Sequence, residues 1–497
     1  MRDLGKDPNE VFAEISVLRR GVAPLRLLRP CSVSDGILQL DPSEQTAARQ
    51  RFERQAPGRR VTKFVAASGS ASRMFGALTG SVETTEAVAD VAATFQRRLH
   101  EFAFFPLLRD ALRRQGHDID DLRNQNKWCA ITDGLLAARG LGYGAFPKAL
   151  IPFHSYRDGA RTALEEHLVE AWLYAAPPEG AVDVHFTVGS EHRDAVEAHL
   201  ASAVRRFETS GIHFRPSVSV QPESTHTVPL ESNNQPLRSE NGRLVFKPSG
   251  HGALLSNLND LAGDIVFVRT IDNVLPDAFK PLVCLHKRIM GGLLLALEEE
   301  IHRRLERLQE GVPGAGFLDD AARFLETQLS TPVPSDWPDR STQEKRSFLF
   351  QTLNRPLRVC AVVPGDGKPG GAPFWVRDRR GSPHLRIVDS PEVRFDSEQQ
   401  REIWASATYF NPADIICSLR SFLGKSFDLR AHQDPASWMV VARSQNGRTI
   451  RILERPGLWN GGMAKWNTVF LEAPKATCRP VKTVADLLDF PDLACSG

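Results

Sequence analysis

The segment 64–76, FVAASGSASRMFG, joins a short apolar run to a series of small residues and an arginine. The apolar run predicts a buried parallel strand, and small side chains after it let backbone N–H groups approach an anion closely. Arg73 adds a fixed positive charge beside them. An ordinary strand–turn–helix junction is the alternative. We expect a phosphate-binding loop that uses Arg73 together with Ser68, Gly69, Ser70, Ala71 and Ser72.

A second candidate, Lys148, follows Pro147 and precedes an apolar stretch and a predicted helix at 161–176. An ammonium group is a compact charge that suits a triphosphate or a pyrophosphate leaving group. The alternative is a surface lysine without a ligand. The order of loop, Pro-Lys and amphipathic helix favours the phosphate interpretation.

Residues 244–277 contain two further features. A turn, PSGHG at 248–252, has glycines that permit close backbone approach to a flat base, and this selects Gly250, His251 and Gly252. A predicted strand at 265–271 ends in Asp272 and Asn273. Ligands of open α/β sheets collect at such strand ends, and a carboxylate suits Mg²⁺ bound to phosphates. The alternatives are a turn-forming pair and a loop histidine without a chemical role.

Composition limits the class of protein. The 497 residues, 41% hydrophobic and 25% charged, are typical of a globular protein of about two to four domains. Because 62 basic residues face 60 acidic ones, nothing in the overall charge favours nucleic acid or a membrane as partner. The chain shows no secretory core or long apolar span, and its seven cysteines include no Cys-x-x-Cys pair. We therefore expect a cytoplasmic protein without a thiolate metal site.

Hydrophobic periodicity predicts three regions. Residues 1–60 are expected to form a helical N-terminal cap. Residues 61–330 are expected to form a nucleotide-binding α/β core with a helical insertion at 80–145, and 331–497 an acceptor-side, β-rich region that completes the cleft. Strands at 182–188, 212–220 and 265–271 alternate with helices at 161–176 and 190–209. This alternation predicts βαβ units on a mainly parallel sheet.

Several segments together resemble a known family. Gly-x-Ala-Ser-Arg-Met at 69–74 resembles the Gly-x-Gly-Thr-Arg-Met loop of sugar-phosphate nucleotidyltransferases. Pro-x-Gly-His-Gly, followed by a strand and Asp-Asn, resembles UDP-glucose and UDP-N-acetylhexosamine pyrophosphorylases. Later segments follow in the same order: LRIVDSPEVRF at 385–395, ATYFNPADIICSL at 407–419 and CRPVKTVADLLDF at 478–490. As a whole, the chain is also similar to an uncharacterised bacterial domain-of-unknown-function family.

The resemblance implies a glycosyltransferase-A-like nucleotidyltransferase fold: α/β, with a mixed, mainly parallel sheet, helical N-terminal additions and a smaller β-rich C-terminal portion. It implies transfer of a nucleotidyl group, with UMP from UTP favoured, to a sugar 1-phosphate or similar phosphate monoester, with release of pyrophosphate. The catalytic set is then Arg73, Lys148, Asp272 and Lys482, with Mg²⁺ on Asp272. Lys482 binds the acceptor phosphate, Gln221 and His251 contact the base, and Asn411 contacts the sugar.

Three departures from the family pattern keep alternatives open. The loop lacks paired glycines, a long helical segment separates it from Lys148, and Asn411-Pro412 replaces Asn-Thr-Asn-Asn. A glycosyltransferase that uses a finished nucleotide sugar is one alternative, although Lys148 and Lys482 argue against it. A catalytically silent nucleotide-binding relative is the other.

The segment 459–467, WNGGMAKWN, is either a loop that stacks on a sugar ring or a well-packed turn. Acceptor, base and oligomeric state stay open.

Overall fold

A computed structural model describes residues 5–80, 85–177, 180–209, 211–261, 263–311, 313–365, 371–377, 381–445 and 448–490. Its helices are α1 Pro8–Arg20, α2 Pro42–Gln55, α3 Gly76–Thr79, α4 Glu86–Arg98, α5 Phe105–Arg114, α6 Ile119–Asn124, α7 Trp128–Leu136, α8 Ala163–Ala175, α9 Arg193–Glu208, α10 Leu254–Asn259, α11 Lys280–Gln309, α12 Ala315–Gln328, α13 Thr342–Leu353 and α14 Glu398–Ala405. None of these helices is both long and apolar enough to cross a membrane.

The strands are β1 Arg26–Pro30, β2 Ser32–Val33, β3 Gly36–Leu38, β4 Val61–Ala66, β5 Pro152–Tyr156, β6 Gly159–Thr162, β7 Val182–Val188, β8 Phe214–Val220, β9 Leu230–Glu231, β10 Ile265–Thr270, β11 Leu357–Pro364, β12 Ala372–Arg377, β13 Pro383–Val388, β14 Tyr409–Phe410, β15 Ile415–Ser418, β16 Met439–Gln445, β17 Arg448–Glu454 and β18 Asn467–Glu472. The strands predicted at 182–188, 212–220 and 265–271 are confirmed, as are the helices at 161–176 and 190–209.

The chain folds into two compact units, each assembled from three separate segments. Unit 1 comprises Met1–Val61, Gln221–Val268 and Arg288–Ala473. Unit 2 comprises Thr62–Val220, Arg269–Lys287 and Pro474–Gly497. Thus the C-terminal segment returns to the unit that contains the predicted phosphate loop. The three continuous domains expected from the sequence stay a prediction.

Unit 2 is built on parallel strands. β7 lies between β4 and β8 and is parallel to both, with Phe186 opposite Val65 on one side and Val218 on the other. β7 is buried along its whole length, so its residues read as an apolar run rather than an alternating pattern. Helix α8 begins with a capping box in which Thr162 and Glu165 exchange hydrogen bonds.

The described residues of the segment 80–145, the expected insertion, contain helices α4 to α7. Its core is aromatic: Phe102 stacks on Phe104 with ring centroids 5.0 Å apart, and Phe75 contacts Phe104 edge-on at 6.4 Å. This contact joins the segment 80–145 to the residues that follow the predicted phosphate loop, since Phe75 immediately precedes α3.

Unit 1 contains a mixed group of strands around β11. β11 is parallel to β18 and antiparallel to β15, while β18 is parallel to β3 and β15 is antiparallel to β10. Two antiparallel groups of strands, β1–β12–β13 and β16–β17–β9, also belong to this unit. Together with the parallel strands of unit 2, this pairing confirms the predicted α/β class with mixed, mainly parallel strands.

One expectation for the N-terminus is wrong. Residues 1–60 were expected to be helical, but strands β1 to β3 lie between α1 and α2. β1 pairs with β12, with Leu27 opposite Val376, and β3 pairs with β18, with Ile37 opposite Phe470. Because the partner strands lie several hundred residues away, local periodicity could not reveal them.

Candidate active site

Asp272 lies at the centre of a charged cluster in unit 2. It follows β10 in a turn, and its Oδ2 accepts hydrogen bonds from Lys148 Nζ at 3.1 Å and Lys482 Nζ at 3.0 Å. Only 10% of the Asp272 side chain is exposed. The structure therefore brings together three predicted site residues from three separate parts of the chain.

Lys148 is the buried member of the pair of lysines. Its side chain is 9% exposed, and its ammonium also donates to the carbonyl oxygen of Val481 at 2.6 Å. Burial lowers the pKa of Lys148, the charges of Lys482 and Arg73 lower it further, and Asp272 opposes the shift. An ammonium carries three N–H groups, so one of them is left for a ligand.

Lys482 is the exposed lysine, with 67% of its side chain accessible. Backbone contacts hold its segment in place: the Val481 N–H donates to the Asp272 carbonyl at 2.9 Å, and the Val484 N–H donates to Met74 O at 3.0 Å. Asp486 caps the turn by accepting from the N–H of Lys482 at 2.9 Å. The C-terminal segment thus docks beside the end of the predicted phosphate loop.

The cluster has an excess of positive charge. Burial alone raises the pKa of Asp272, but the charges of Lys148 and Lys482 outweigh it and hold that pKa well below its usual range. The carboxylate is therefore ionised. Arg73 is exposed and makes no hydrogen bond or ion pair with any residue that the structure describes, yet its charge acts on Lys148. Two lysines contact one carboxylate and the charge of Arg73 acts on Lys148, an arrangement that attracts anions.

The loop before Arg73 is braced against the Lys148 segment. The Ala71 N–H donates to Phe146 O at 2.9 Å, and the Lys148 N–H donates to Gly69 O at 3.0 Å. The Ser72 N–H donates to the Ser70 hydroxyl at 3.1 Å. The protein itself uses the amides of Ala71 and Ser72, and a role for these two residues at an anion stays a prediction.

Two loop amides remain available. Within the described part of the chain, no acceptor takes the backbone N–H of Gly69 or Ser70. A Cβ built on Gly69 would meet nothing within 4 Å, so this glycine faces open space. These two amides and Arg73 are the part of the predicted loop that can still contact a phosphate, with Ser68 half-buried beside them.

A buried ionic network supports the Asp272 turn, and the sequence analysis did not predict it. Glu170 Oε1 on α8 accepts from Lys63 Nζ at 2.9 Å and from Arg269 Nη1 at 3.3 Å. Arg269 Nη2 also donates to Thr477 O at 2.9 Å. Burial lowers the pKa of Lys63 to about 8, although Glu170 opposes the shift. Charged residues inside otherwise apolar strands, such as VTKFVA and IVFVRT, were the available signal.

Asn273 is part of this support. It is fully buried, and its Oδ1 accepts from the Arg479 N–H at 2.9 Å and from Arg269 Nη2 at 3.2 Å. A contact of Asn273 with substrate stays a prediction. Its side chain ties the segment that carries Lys482 to the turn that carries Asp272.

Unit 1 contains the PSGHG turn, in which the glycines have a packing role. A Cβ on Gly252 would lie 2.2 Å from the carbonyl oxygen of Pro456. Gly250 has φ +75°, and a Cβ there would lie 2.5 Å from Glu454 Oε2. The glycines therefore allow close packing against residues 454–456, and their expected contact with a base stays a prediction.

His251 is partly exposed and stacks on Trp459, with ring centroids 4.0 Å apart. Its Nδ1 accepts from the Leu458 N–H at 3.0 Å. In the segment 459–467, Asn460 is fully buried and its side-chain amide donates to Ile387 O at 3.1 Å. These contacts are those of a well-packed turn. A role for His251 at a base stays a prediction.

Two further predicted residues differ in their availability. Asn411 is 6% exposed; its Nδ2 donates to Ala361 O at 2.6 Å and its Oδ1 accepts from the Ala413 N–H at 3.0 Å. Both ends of this amide are used within the protein, and its expected contact with a sugar stays a prediction. Gln221, by contrast, is 7% exposed and its Nε2 has no acceptor among the described residues. Its role at a base stays a prediction.

A magnesium site can be judged from the donors present. Among the described residues, no group of three or more His, Cys, Asp and Glu side chains could hold a metal. Asp272 Oδ1 is buried and without a hydrogen-bond partner. Mg²⁺ is commonly bound by one or two carboxylates with substrate phosphates and water supplying the rest. This donor set fits Mg²⁺ only when a phosphate ligand is also bound.

Comparison with known proteins gives a family match over nearly the whole chain. The family described as domain of unknown function (DUF4301) matches residues 1–491. Comparison with the curated proteins finds no match.

Solved structures with similarity to this chain include two pyrophosphorylases. The uridine diphosphate N-acetylglucosamine pyrophosphorylase from Trypanosoma brucei, in complex with an inhibitor, is 10% identical, with a TM-score of 0.48 over 97% of this chain and 74% of that one. A variant of UDP-glucose pyrophosphorylase from Leishmania major, in complex with UDP-glucose, is 12% identical, with a TM-score of 0.43 over 98% and 76%.

Proposed function

This chain belongs to the family described as domain of unknown function (DUF4301), and we propose that it is a nucleotidyltransferase. In this proposal it transfers a nucleotidyl group, with UMP from UTP favoured, to a sugar 1-phosphate or a similar phosphate monoester. The observation that carries the proposal is the convergence of Lys148 and Lys482 on the single carboxylate of Asp272. A cytoplasmic location is part of the same proposal.

The hydrogen-bond donors that remain support a site for several phosphate groups. Lys148 has one N–H group left, Lys482 has two, and the Arg73 guanidinium has its full set. The amides of Gly69 and Ser70 add two neutral donors. A triphosphate and a phosphate monoester together carry many ionised oxygens. A site with the two lysines and Arg73 can hold both.

The proposed reaction forms one P–O bond and breaks one. An oxygen of the acceptor phosphate attacks the α-phosphorus, and the bond to the β-phosphate oxygen breaks, so that pyrophosphate leaves with the electron pair. The acceptor is already ionised at neutral pH, so the site needs no general base. Its contribution is to position the two anions in line and to neutralise their charge.

Each residue then has a distinct proposed task. Arg73 and the free loop amides bind the triphosphate, Lys148 stabilises the leaving pyrophosphate, and Lys482 binds the acceptor phosphate. Asp272 orients both ammonium groups through Oδ2. Oδ1 would hold Mg²⁺, which would neutralise phosphate charge when bound.

The substrate classes are proposed from the residues and the family resemblance. The segments 69–74, 248–252 and 478–490 resemble those of UDP-sugar pyrophosphorylases, and the unpartnered amide of Gln221 is a donor suited to the edge of a base. UTP is therefore the first nucleotide to test. The sugar stays open, since Asn411 is used within the protein.

A pyrophosphate-release screen tests the proposal. The full chain is incubated with Mg²⁺, each of the four common nucleoside triphosphates and a panel of sugar 1-phosphates, and released pyrophosphate is measured. We expect release with UTP and at least one acceptor. Release should depend on both substrates and fall strongly in Lys482→Ala, but not in the matched surface variant Lys425→Ala.

One structural observation favours a second candidate function, a nucleotide-binding protein without turnover. Two of the loop amides and two donors of Lys148 are already used within the protein. Under this alternative, UTP stabilises the protein in an Arg73-dependent way, while no acceptor gives pyrophosphate. Absence of both UTP binding and turnover would contradict both functions.

A further inference from the structure

Unit 1 contains a cavity of about 910 Å³ that is separate in sequence from the Asp272 cluster. It is lined by the segments 22–26, 329–331, 384–386, 391–394, 434–438 and 464–468, together with Arg355 and Arg377. All of these residues belong to unit 1. A volume of this size is within the range of small-molecule sites.

The charge of the lining is strongly positive. Its two carboxylates, Glu392 and Asp434, are both engaged by Arg386, at 2.6 Å and 3.4 Å. Arg394 has an exposed partner, Asp396, at 3.6 Å. The remaining cations have no carboxylate within ion-pair distance among the described residues; they are Arg26, Arg355, Arg377 and Lys465.

Buried donors without acceptors occur in the same lining. Trp466 is 5% exposed, and its indole N–H has no hydrogen-bond partner in the described part of the chain. Arg386 is 1% exposed, and its Nε also has none, although its other nitrogens are held by Glu392 and Asp434. A buried donor without an acceptor costs free energy unless water or a ligand satisfies it. Both donors therefore favour a ligand with acceptor oxygens.

We propose that this cavity is a second binding site, which takes a small organic polyanion with ionised phosphate or carboxylate oxygens. Arg26 and Lys465 attract the anion at the exposed wall, Arg355 and Arg377 add guanidinium donors, and the Trp466 N–H donates to one of its oxygens. Guanidinium groups match the planar and tetrahedral oxyanions of carboxylates and phosphates through paired N–H donors. The proposal does not depend on nucleotidyl transfer.

The Asp272 cluster also attracts phosphates, so the experiment first weakens it. The double variant Arg73→Ala/Lys482→Ala removes two exposed cations from unit 2 and serves as the background. Titration calorimetry with inorganic pyrophosphate and with citrate distinguishes a phosphate from a carboxylate ligand, and glucose is the neutral control. We expect one saturable site for at least one anion, weakened by added salt.

Adding Arg26→Gln and Lys465→Gln to the background should weaken that anion's binding by about tenfold or more, corresponding to about 1.4 kcal/mol. Both side chains are exposed, so folding is expected to be unaffected. Trp466→Phe keeps the ring and removes the N–H donor, and it should also weaken binding. Lys425→Gln, a surface lysine outside the lining, is the matched control and should change nothing.

Several results would overturn the proposal. One is the absence of anion binding to the background variant, and another is binding that Arg26→Gln/Lys465→Gln leaves unchanged. An equal loss in Lys425→Gln would show a general surface-charge effect. Binding of a single-stranded oligonucleotide without binding of pyrophosphate or citrate would show that the lining belongs to a nucleic-acid surface.

Discussion

Removing the charge of Asp272 should reveal how unequally its two lysines depend on it. Asp272→Asn is nearly isosteric and leaves both ammonium groups in place. Lys148 is 9% exposed and Lys482 is 67% exposed, although both lie at about the same distance from Oδ2. Distance alone predicts that both lysines contribute equally to the free-energy cost of the substitution. Burial predicts that the cost comes from Lys148.

The magnitude follows from the two exposures. Breaking a buried ion pair by removing one partner costs about 3–5 kcal/mol, because a buried charge is left uncompensated. An exposed pair contributes about 0–1 kcal/mol. Lys148 can lose its proton, since burial lowers its pKa, and this limits the cost. We therefore expect Asp272→Asn to destabilise the turn and the docked segment by about 3 kcal/mol, nearly all through Lys148.

The assay is hydrogen exchange followed by mass spectrometry, with peptides that cover 269–275 and 478–488. The amides of Val481 and Val484 report on docking, because they donate to Asp272 O and Met74 O. Adding Lys148→Met to Asp272→Asn should restore part of the protection. Adding Lys482→Met should change the opening free energy by less than about 1 kcal/mol.

Asp133→Asn is the matched control, since Asp133 pairs with Arg139 in the same unit and both side chains are more than half exposed. It should have no measurable effect on the same peptides. The reasoning fails if Asp272→Asn/Lys148→Met is no better protected than Asp272→Asn. It also fails if the two lysines couple equally to Asp272.

Three further predictions concern activity, pH and base recognition. Arg73→Ala should lower kcat/KM by an amount that corresponds to about 2–4 kcal/mol of lost transition-state stabilisation. The melting temperature should not change, because the Arg73 side chain has no protein partner among the described residues. Near-normal turnover would remove Arg73 from the site. Burial lowers the pKa of His185 to about 4. As the pH drops, the His185 side chain of the unfolded chain therefore binds a proton before that of the folded protein does. The free energy of unfolding should fall between about pH 6.5 and about pH 4, by up to about 3 kcal/mol. Urea midpoints should show a shallower fall in His185→Gln, and an unchanged pH slope would contradict the assignment. Gln221→Glu should weaken UTP binding by about tenfold or more but leave pyrophosphate binding intact; calorimetry showing equal losses would place Gln221 away from the base.

The sequence predicts the parallel part of the fold well, because its signals are local. VDVHFTV and IVFVRTI are short apolar runs between helices with clear periodicity, and both are strands. Strands β1 and β3 were missed because their partners, β12 and β18, lie far away in the chain. No window of neighbouring residues contains that information.

The residues of the candidate site also differ in how well the sequence predicts them. Lys482 was selected by family resemblance, since nothing near it in sequence indicates a partner 210 residues away. The glycines at 250 and 252 give an ambiguous signal, because close approach to a base and close approach to residues 454–456 require the same lack of a side chain. The network of Glu170, Lys63 and Arg269 was not predicted, although charges within apolar strands pointed to buried ion pairs.

The central claim is that Lys482 binds the acceptor while Arg73 and Lys148 bind the triphosphate. Steady-state kinetics of Lys482→Ala, with the acceptor identified by the screen, tests it most directly. The account predicts a higher KM for the acceptor and a lower kcat, with an unchanged affinity for the nucleoside triphosphate, since Lys482 contacts only one substrate. Weakened triphosphate binding with an unchanged acceptor KM would contradict it.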